Sequence, residues 1–179
     1  KIDDPALIYT LKKNIGYIGS LGSKKTHQKR SDRLSSLDFI ENDSVKEIYA
    51  SHVLEHFKRY QINDVLKEWN RVLAVGGILR IAVPNFAAIV SHYNEHKDVS
   101  KLIGLLYGGQ DYDYNFHHIC FDFISIKEIF ENNNYINVRE YDWRDFLPKD
   151  YDDYSRSYLP HMDFENGTLM SLNIIAEKK

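Results

Sequence analysis

One stretch, from Ser44 to Pro84, limits what this 179-residue chain can fold into more than any other part of the sequence. Residues 47–51 form a short apolar run that is typical of a buried strand. Between Gln61 and Leu73 the apolar residues recur at helical spacing, which predicts an amphipathic helix. Residues 78–83 form a second apolar run of strand length. The stretch therefore predicts two adjacent parallel strands joined by a helix, which is the unit of α/β domains.

Two residue pairs inside this stretch carry more specific expectations. Leu66 and Trp69 lie on the apolar side of the predicted helix, so they should pack it against one face of the sheet. Gly76 and Gly77 should end the helix, because glycine is common just beyond a helix C-terminus. The second strand is apolar almost throughout, which favours a strand covered on both faces.

The composition predicts a single cytoplasmic domain. The length suits one domain, and the single cysteine, Cys120, excludes an internal disulfide and favours a reducing compartment. The sequence has no long apolar run, so no membrane partner is expected. A net charge of −3 gives no reason to expect nucleic acid. The composition leaves the oligomeric state open.

Three short motifs in the central stretch resemble a known family. The turn HVLEH at 52–56 is followed by RVLAVGG at 71–77 and by ILRIAVP at 78–84. This series resembles the middle of the S-adenosylmethionine-dependent methyltransferases, in which a similar turn ends the fourth strand and a glycine pair opens the fifth. LDFIENDS before the series, and the segment 118–138 after it, extend the resemblance to residues 35–179. It implies a Rossmann-like three-layer α/β sandwich with a mostly parallel sheet and an antiparallel last strand, incomplete at its N-terminus.

The same resemblance implies a cofactor, a reaction and a set of site residues. The reaction would transfer a methyl group from S-adenosylmethionine to an oxygen or nitrogen nucleophile of a small molecule. The implied cofactor-binding residues are Asp38, Phe39, Ser51, His52 and Val53, and Gly19 and Gly22 are candidates if the turn predicted there serves in place of the family's glycine loop. If a general base takes part, the candidates are His117, His118, His56 and Glu55. His117 and His118 are preferred, because a loop would hold them over the pocket.

Residues 1–34 follow a different pattern. DDPALI and YIGSLGSKKTH predict a helix, a strand, a glycine turn and a helix, and they resemble the C-terminal region of xanthine dehydrogenase accessory proteins. The G-x-G-x-G loop of the methyltransferase family is not found in them. The chain is therefore expected to be a fragment or a join of two pieces, and to bind S-adenosylmethionine weakly or not at all. The alternatives to an enzyme are an inactive Rossmann-like remnant and a nucleotide-binding accessory module.

A metal site is not expected at the HVLEH turn. The turn also matches H-x-x-E-H, a zinc-protease signature in which one continuous helix places both histidines on the same face. Here His52 follows a strand, and no third ligand is recognisable at a familiar spacing downstream. We therefore expect His52 and His56 to diverge and the purified chain to hold no stoichiometric zinc.

The remaining sequence predicts a lid and the end of the sheet. Residues 86–120 should form an insert at the carboxyl edge of the second strand, with helices at 87–93 and 100–107, and could close over a pocket. Ser125 and Glu128 predict a capping box that starts the next helix. Residues 135–141 and 168–176 predict an antiparallel pair of last strands. The segment 142–165, rich in aspartate and tyrosine, is expected to be mostly a solvated connection.

Overall fold

The computed structural model describes residues 45–148 and 151–179. A four-stranded mixed sheet, with strand order β1-β2-β6-β3, is the centre of this part of the chain. A separate pair, β4-β5, precedes the last strand. The strands are β1 Val45–Ser51, β2 Leu73–Pro84, β3 Tyr135–Glu140, β4 Tyr158–Leu159, β5 Thr168–Leu169 and β6 Ser171–Lys178. The α-helices are α1 Ile62–Val72, α2 Phe86–His96, α3 Ile103–Tyr107 and α4 Phe123–Glu131.

The predicted strand–helix–strand unit is confirmed. β1 and β2 are parallel neighbours, with Ile48 opposite Leu79 and Ala50 opposite Ile81, and α1 connects them. The helix ends at Val72, before the two glycines that were expected to stop it. Gly76 instead has a positive φ of 72° within an irregular part of β2, where the pairing with β1 shifts register. Glycine suits this position because other residues are strained at such a φ.

The sheet in the described residues is mixed, so the expectation of a mostly parallel sheet is wrong for this part of the chain. β6 lies between β2 and β3 and is antiparallel to both, which confirms the predicted antiparallel pair of last strands. The direction follows from where β6 begins. Its first residue, Ser171, pairs with Pro84 at the carboxyl end of β2, and the strand then runs back along β2.

One face of the sheet packs against α1 and α4 and forms the main apolar core. Leu66 of α1 and Ile126 of α4 are both fully buried there, and Trp69 packs partly buried against the same cluster, as the periodicity predicts. Burying a leucine or isoleucine side chain stabilises a fold by about 1.5–3 kcal/mol. The strand residues of this core are Ala50, Leu73, Leu79, Ile81, Val83, Tyr135, Val138, Leu172, Ile174 and Ala176.

The opposite face of the sheet is covered by residues 141–148 and 151–158, so the expectation of a mostly solvated connection is wrong for these residues. The Tyr49 hydroxyl donates a hydrogen bond to Asp153, and the Asn173 amide donates one to the Ser155 carbonyl oxygen. The Arg80 guanidinium lies 4.6 Å from the centre of the Phe146 ring. Polar side chains on this face need partners once buried, and this segment supplies them.

The insert between β2 and α4 contains two helices, α2 and α3. Asn85 caps α2 by accepting hydrogen bonds from the backbone N–H groups of Ala87 and Ala88. No helix in residues 45–148 or 151–179 combines the length and apolarity that crossing a membrane requires.

α4 begins one turn earlier than predicted, because Asp122 is its N-cap and Ser125 takes the third helical position.

Candidate functional site

The candidate site lies where β1 and β2 end side by side. Parallel strands finish at the same sheet edge, and open α/β sheets bind ligands at that edge. β1 ends at Ser51, whose buried hydroxyl oxygen has no hydrogen-bond partner among the described residues. His52 follows in a left-handed conformation with φ of 51°, and its backbone N–H donates to the Ala82 carbonyl oxygen of β2. The chain therefore turns sharply at His52 and enters the HVLEH segment.

Glu55 is the most unusual residue of this turn. It belongs to a single-turn helix, Leu54–His56, and is fully buried. Neither carboxylate oxygen has a hydrogen-bond partner among the described residues. Nδ1 of His52 lies 3.1 Å from Oε1 of Glu55, close enough for an ion pair but without hydrogen-bond geometry. A buried carboxylate without donors is costly, so Glu55 marks a place where charge compensation is needed.

His117 comes to Glu55 from the insert. Its Nδ1 donates to the Leu105 carbonyl oxygen at 2.9 Å, and its Nε2 lies 4.0 Å from Oε1 of Glu55. The backbone N–H of His117 also donates to the Tyr107 carbonyl oxygen, which fixes the loop to the end of α3. Burial lowers the pKa of His117, because the charged imidazolium loses its hydration.

His56 completes the group. Its Nδ1 lies 3.1 Å from the carbonyl oxygen of Phe116, and its ring meets the His117 ring edge to face with centroids 4.8 Å apart. The nearest ligand atoms of Glu55, His56 and His117 all lie within 4.8 Å of one another. His52 is not a member of this group. The two histidines of the H-x-x-E-H match therefore lie in different surroundings, His56 beside His117 and His52 beside Ser171.

The other candidates from the sequence lie elsewhere. His118 is exposed, although its backbone N–H donates to the Glu55 carbonyl oxygen at 2.8 Å. Val53 is partly buried against the main core. The remaining cofactor-binding candidates fall outside the described residues, and their role stays a prediction. They are Gly19, Gly22, Asp38 and Phe39.

Sequence reasoning did not find the partners on the far side of His52. Nε2 of His52 lies 3.2 Å from the Ser171 hydroxyl, and the Tyr154 ring lies 5.5 Å from the imidazole, centroid to centroid. Both residues come from distant parts of the chain. The sequence carries no local signal for such contacts, because they depend on β6 and the residues around Tyr154 meeting the end of β1.

Comparisons with known proteins give likeness to solved structures. No family model matches the chain. No curated protein matches it. The chain is similar to the crystal structure of a SAM dependent methyltransferase from Archaeoglobus fulgidus, with 17% identity, 83% of this chain and 66% of that one covered, and a TM-score of 0.47.

The chain is also similar to two carbon methyltransferases, of which it covers a smaller share than of the Archaeoglobus fulgidus protein. CurJ carbon methyltransferase shares 15% identity over 79% of this chain and 31% of its own, with a TM-score of 0.44. DszA carbon methyltransferase shares 12% identity over 87% and 38%, with a TM-score of 0.45. The chain thus spans less than two thirds of each matched structure. The comparisons give no support to the resemblance of residues 1–34 to xanthine dehydrogenase accessory proteins.

Proposed function

We propose that this chain is part of an enzyme that transfers a methyl group from S-adenosylmethionine to an oxygen or nitrogen atom of a small molecule. The observation that carries the proposal is the position of the HVLEH turn. The turn follows the carboxyl end of β1, which lies beside the carboxyl end of β2. The His52 backbone N–H donates a hydrogen bond to the Ala82 carbonyl oxygen of β2. The HVLEH turn and the carboxyl end of the ILRIAVP strand therefore lie together at the sheet edge where α/β proteins bind ligands.

The chemistry asks little of the protein beyond positioning. The sulfonium cofactor supplies an activated methyl group, so the enzyme mainly holds the nucleophile in line and excludes water. Ser51, His52 and Val53 are the proposed cofactor contacts among the described residues. The unpartnered Ser51 hydroxyl at the strand end has a free donor and acceptor for a polar group of a ligand.

A proton must leave the nucleophile in many such reactions, and His117 is the proposed base. Because its Nδ1 donates to the Leu105 carbonyl oxygen, Nε2 carries the lone pair that can accept a proton. Glu55 lies 4.0 Å from that nitrogen and would stabilise the imidazolium that forms. His56 and Glu55 remain secondary candidates. His118 is less suitable, since it is exposed to solvent.

The test is binding of S-adenosylhomocysteine, measured by saturation-transfer NMR because this method detects weak complexes. His52→Asn removes the imidazole but keeps the turn, since asparagine tolerates the left-handed backbone. His161→Asn is the matched control, because His161 is exposed. We expect adenosine signals with the wild-type chain and the control, and weaker signals with His52→Asn.

Two outcomes would contradict the proposal and identify its replacement, and a third would contradict only the proposed place of the cofactor. No signal from S-adenosylhomocysteine or from ATP would favour an inactive Rossmann-like remnant. Signals from ATP, with S-adenosylhomocysteine unable to displace it, would favour a nucleotide-binding accessory module. Equal signals from the His52→Asn variant and the wild type would show that the cofactor does not bind at the turn after β1.

A further inference from the structure

We propose that Glu55, His56 and His117 form a binding site for a divalent transition-metal ion, with zinc the best match. The group offers one carboxylate oxygen and two imidazole nitrogens within 4.8 Å of one another. Two histidines with one carboxylate are a ligand set found in catalytic zinc sites, which use three protein ligands and leave one position open. The site does not depend on the methyl-transfer proposal.

In both imidazoles, Nδ1 is held by a backbone carbonyl oxygen. Nδ1 of His56 contacts the Phe116 carbonyl oxygen, and Nδ1 of His117 contacts the Leu105 carbonyl oxygen. A carbonyl oxygen only accepts, so Nδ1 carries the hydrogen in each ring and Nε2 carries the lone pair. Metal-binding histidines are usually held in this way, with the second ring nitrogen donating to a backbone carbonyl or a carboxylate.

The carboxylate provides the second, independent observation. Glu55 is fully buried and has no hydrogen-bond partner for either oxygen among the described residues. Its Oε1 lies 4.0 Å from the ring nitrogen of His117 that carries the lone pair. A cation between these atoms would compensate the buried negative charge, which otherwise lacks donors. His52, 3.1 Å from Oε1 on another side, would orient the carboxylate.

The distances require a modest closure on binding. Zinc bonds of about 2.0–2.2 Å place tetrahedral ligand atoms roughly 3.3–3.6 Å apart. The present separation of 4.0 Å between Glu55 and His117 exceeds this by a few tenths of an ångström. The three ligand atoms together lie within 4.8 Å of one another, so the closure needed for the whole set is up to about 1.5 Å. Side-chain rotation can supply that movement. The backbone already fixes the two elements, because the His118 N–H donates to the Glu55 carbonyl oxygen.

This site differs from the zinc-protease match in the sequence. That match pairs His52 with His56 on one helix, whereas the structure brings His56 together with His117 from the insert. The expectation that the purified chain holds no stoichiometric zinc was argued from the first pairing, and the present proposal reverses that expectation on the second. A bound ion and a proton-accepting His117 would use the same lone pair, so the two roles exclude each other at this residue.

The test is metal uptake by the full chain after removal of metal with a chelator. Zn²⁺ is titrated against a chromophoric competitor, and Co²⁺ is used as a spectroscopic probe of the coordination geometry. The variants are His56→Gln, His117→Gln and Glu55→Gln, which lie on two different elements. His118→Gln is the matched control, since it is adjacent to His117 and exposed. Circular dichroism checks that each variant is folded.

We expect one equivalent of Zn²⁺ for the wild-type chain and for the control. Loss of a ligand should weaken binding by more than about a hundredfold, which exceeds the usual effect of changing a second-layer partner. Added Zn²⁺ should also raise the melting temperature of the wild type but not of the ligand variants. Less than one equivalent in the wild type, or unchanged affinity in two folded ligand variants, would overturn the proposal.

Discussion

The Tyr49 hydroxyl donates a 2.6 Å hydrogen bond to Oδ2 of Asp153, a residue 104 positions later in the chain. Tyr49 lies in β1, and Asp153 precedes the single-turn helix Tyr154–Arg156. The other carboxylate oxygen of Asp153 accepts from the Ser155 backbone N–H. Burial and the Asp153 hydrogen bond both raise the pKa of Tyr49, so the phenol stays protonated and remains a donor.

Tyr49→Phe is therefore expected to lower the free energy of unfolding by about 1–3 kcal/mol, because it leaves a carboxylate oxygen without its donor. Denaturant unfolding measures the change. Tyr60→Phe is the control, since Tyr60 is 72% exposed. It should change stability by less than about 0.5 kcal/mol. Equal effects at the two positions would show that the bond to Asp153 contributes nothing.

Leu66→Ala should destabilise the chain by about 2–5 kcal/mol, the usual range for truncating a buried leucine. Leu66 is fully buried between α1 and the sheet, and its carbonyl oxygen accepts from the Tyr135 hydroxyl. The neighbouring exposed residue provides the control, Lys67→Ala, with an expected change near zero. A loss below 1 kcal/mol for Leu66→Ala would contradict the packing of α1 on this face.

Asp122→Ala should cost about 0.5–2 kcal/mol at neutral pH, because Asp122 is the N-cap of α4. Hydrogen bonds from the Ser125 side chain and backbone lower the pKa of Asp122. A lowered folded pKa means that the stabilisation is complete above the unfolded value of about 3.9 and is lost as the pH falls through the folded value.

The difference in unfolding free energy between wild type and Asp122→Ala should thus shrink in acid. Asp122→Asn keeps a capping oxygen without a titrating group, so it should show little loss at neutral pH. Urea unfolding of the three proteins across acidic pH measures this. A difference between wild type and Asp122→Ala that stays constant down to pH 2 would rule out the carboxylate as its source.

The dissociation constant for S-adenosylhomocysteine should be at least about a hundredfold above the micromolar range, because the G-x-G-x-G loop is not found in the sequence. Each lost hydrogen bond costs about 0.5–1.5 kcal/mol, and every 1.4 kcal/mol is about tenfold in affinity. Calorimetric titration measures the dissociation constant. A micromolar value that is lost in the Gly19→Val variant would contradict this prediction and assign the glycine turn near Gly19 to the cofactor.

The strand–helix–strand unit could be predicted because its signals are local. Periodic apolar residues placed α1 within one residue of its observed ends, 62 and 72, and the apolar run ending at Pro84 located β2. The start of α4 was harder. Asp122 and Ser125 both suit an N-cap, and the sequence does not decide which of two oxygen-bearing residues one turn apart takes that position.

The candidate site could be predicted only in part. Glu55, His56 and His117 were chosen as candidates, but their meeting depends on contacts between distant residues. Hydrogen bonds to Leu105 and Tyr107 turn His117 toward Glu55, while the adjacent His118 is left exposed. Neighbouring histidines look alike in a sequence, and only the packed loop distinguishes them. The packing of residues 141–148 and 151–158 on the sheet was not predicted, because it too depends on contacts between residues distant in sequence.

The two faces of β6 differ in character, and this difference restricts how the strand can pair. Leu172 and Ile174 face the apolar core, while Ser171 and Asn173 face the polar side, where they bond to each other and Asn173 donates to the Ser155 carbonyl oxygen. A slip by one residue would exchange the two sets, because side chains alternate along a strand. It would bury Asn173 among leucines and isoleucines. β6 is therefore confined to one register.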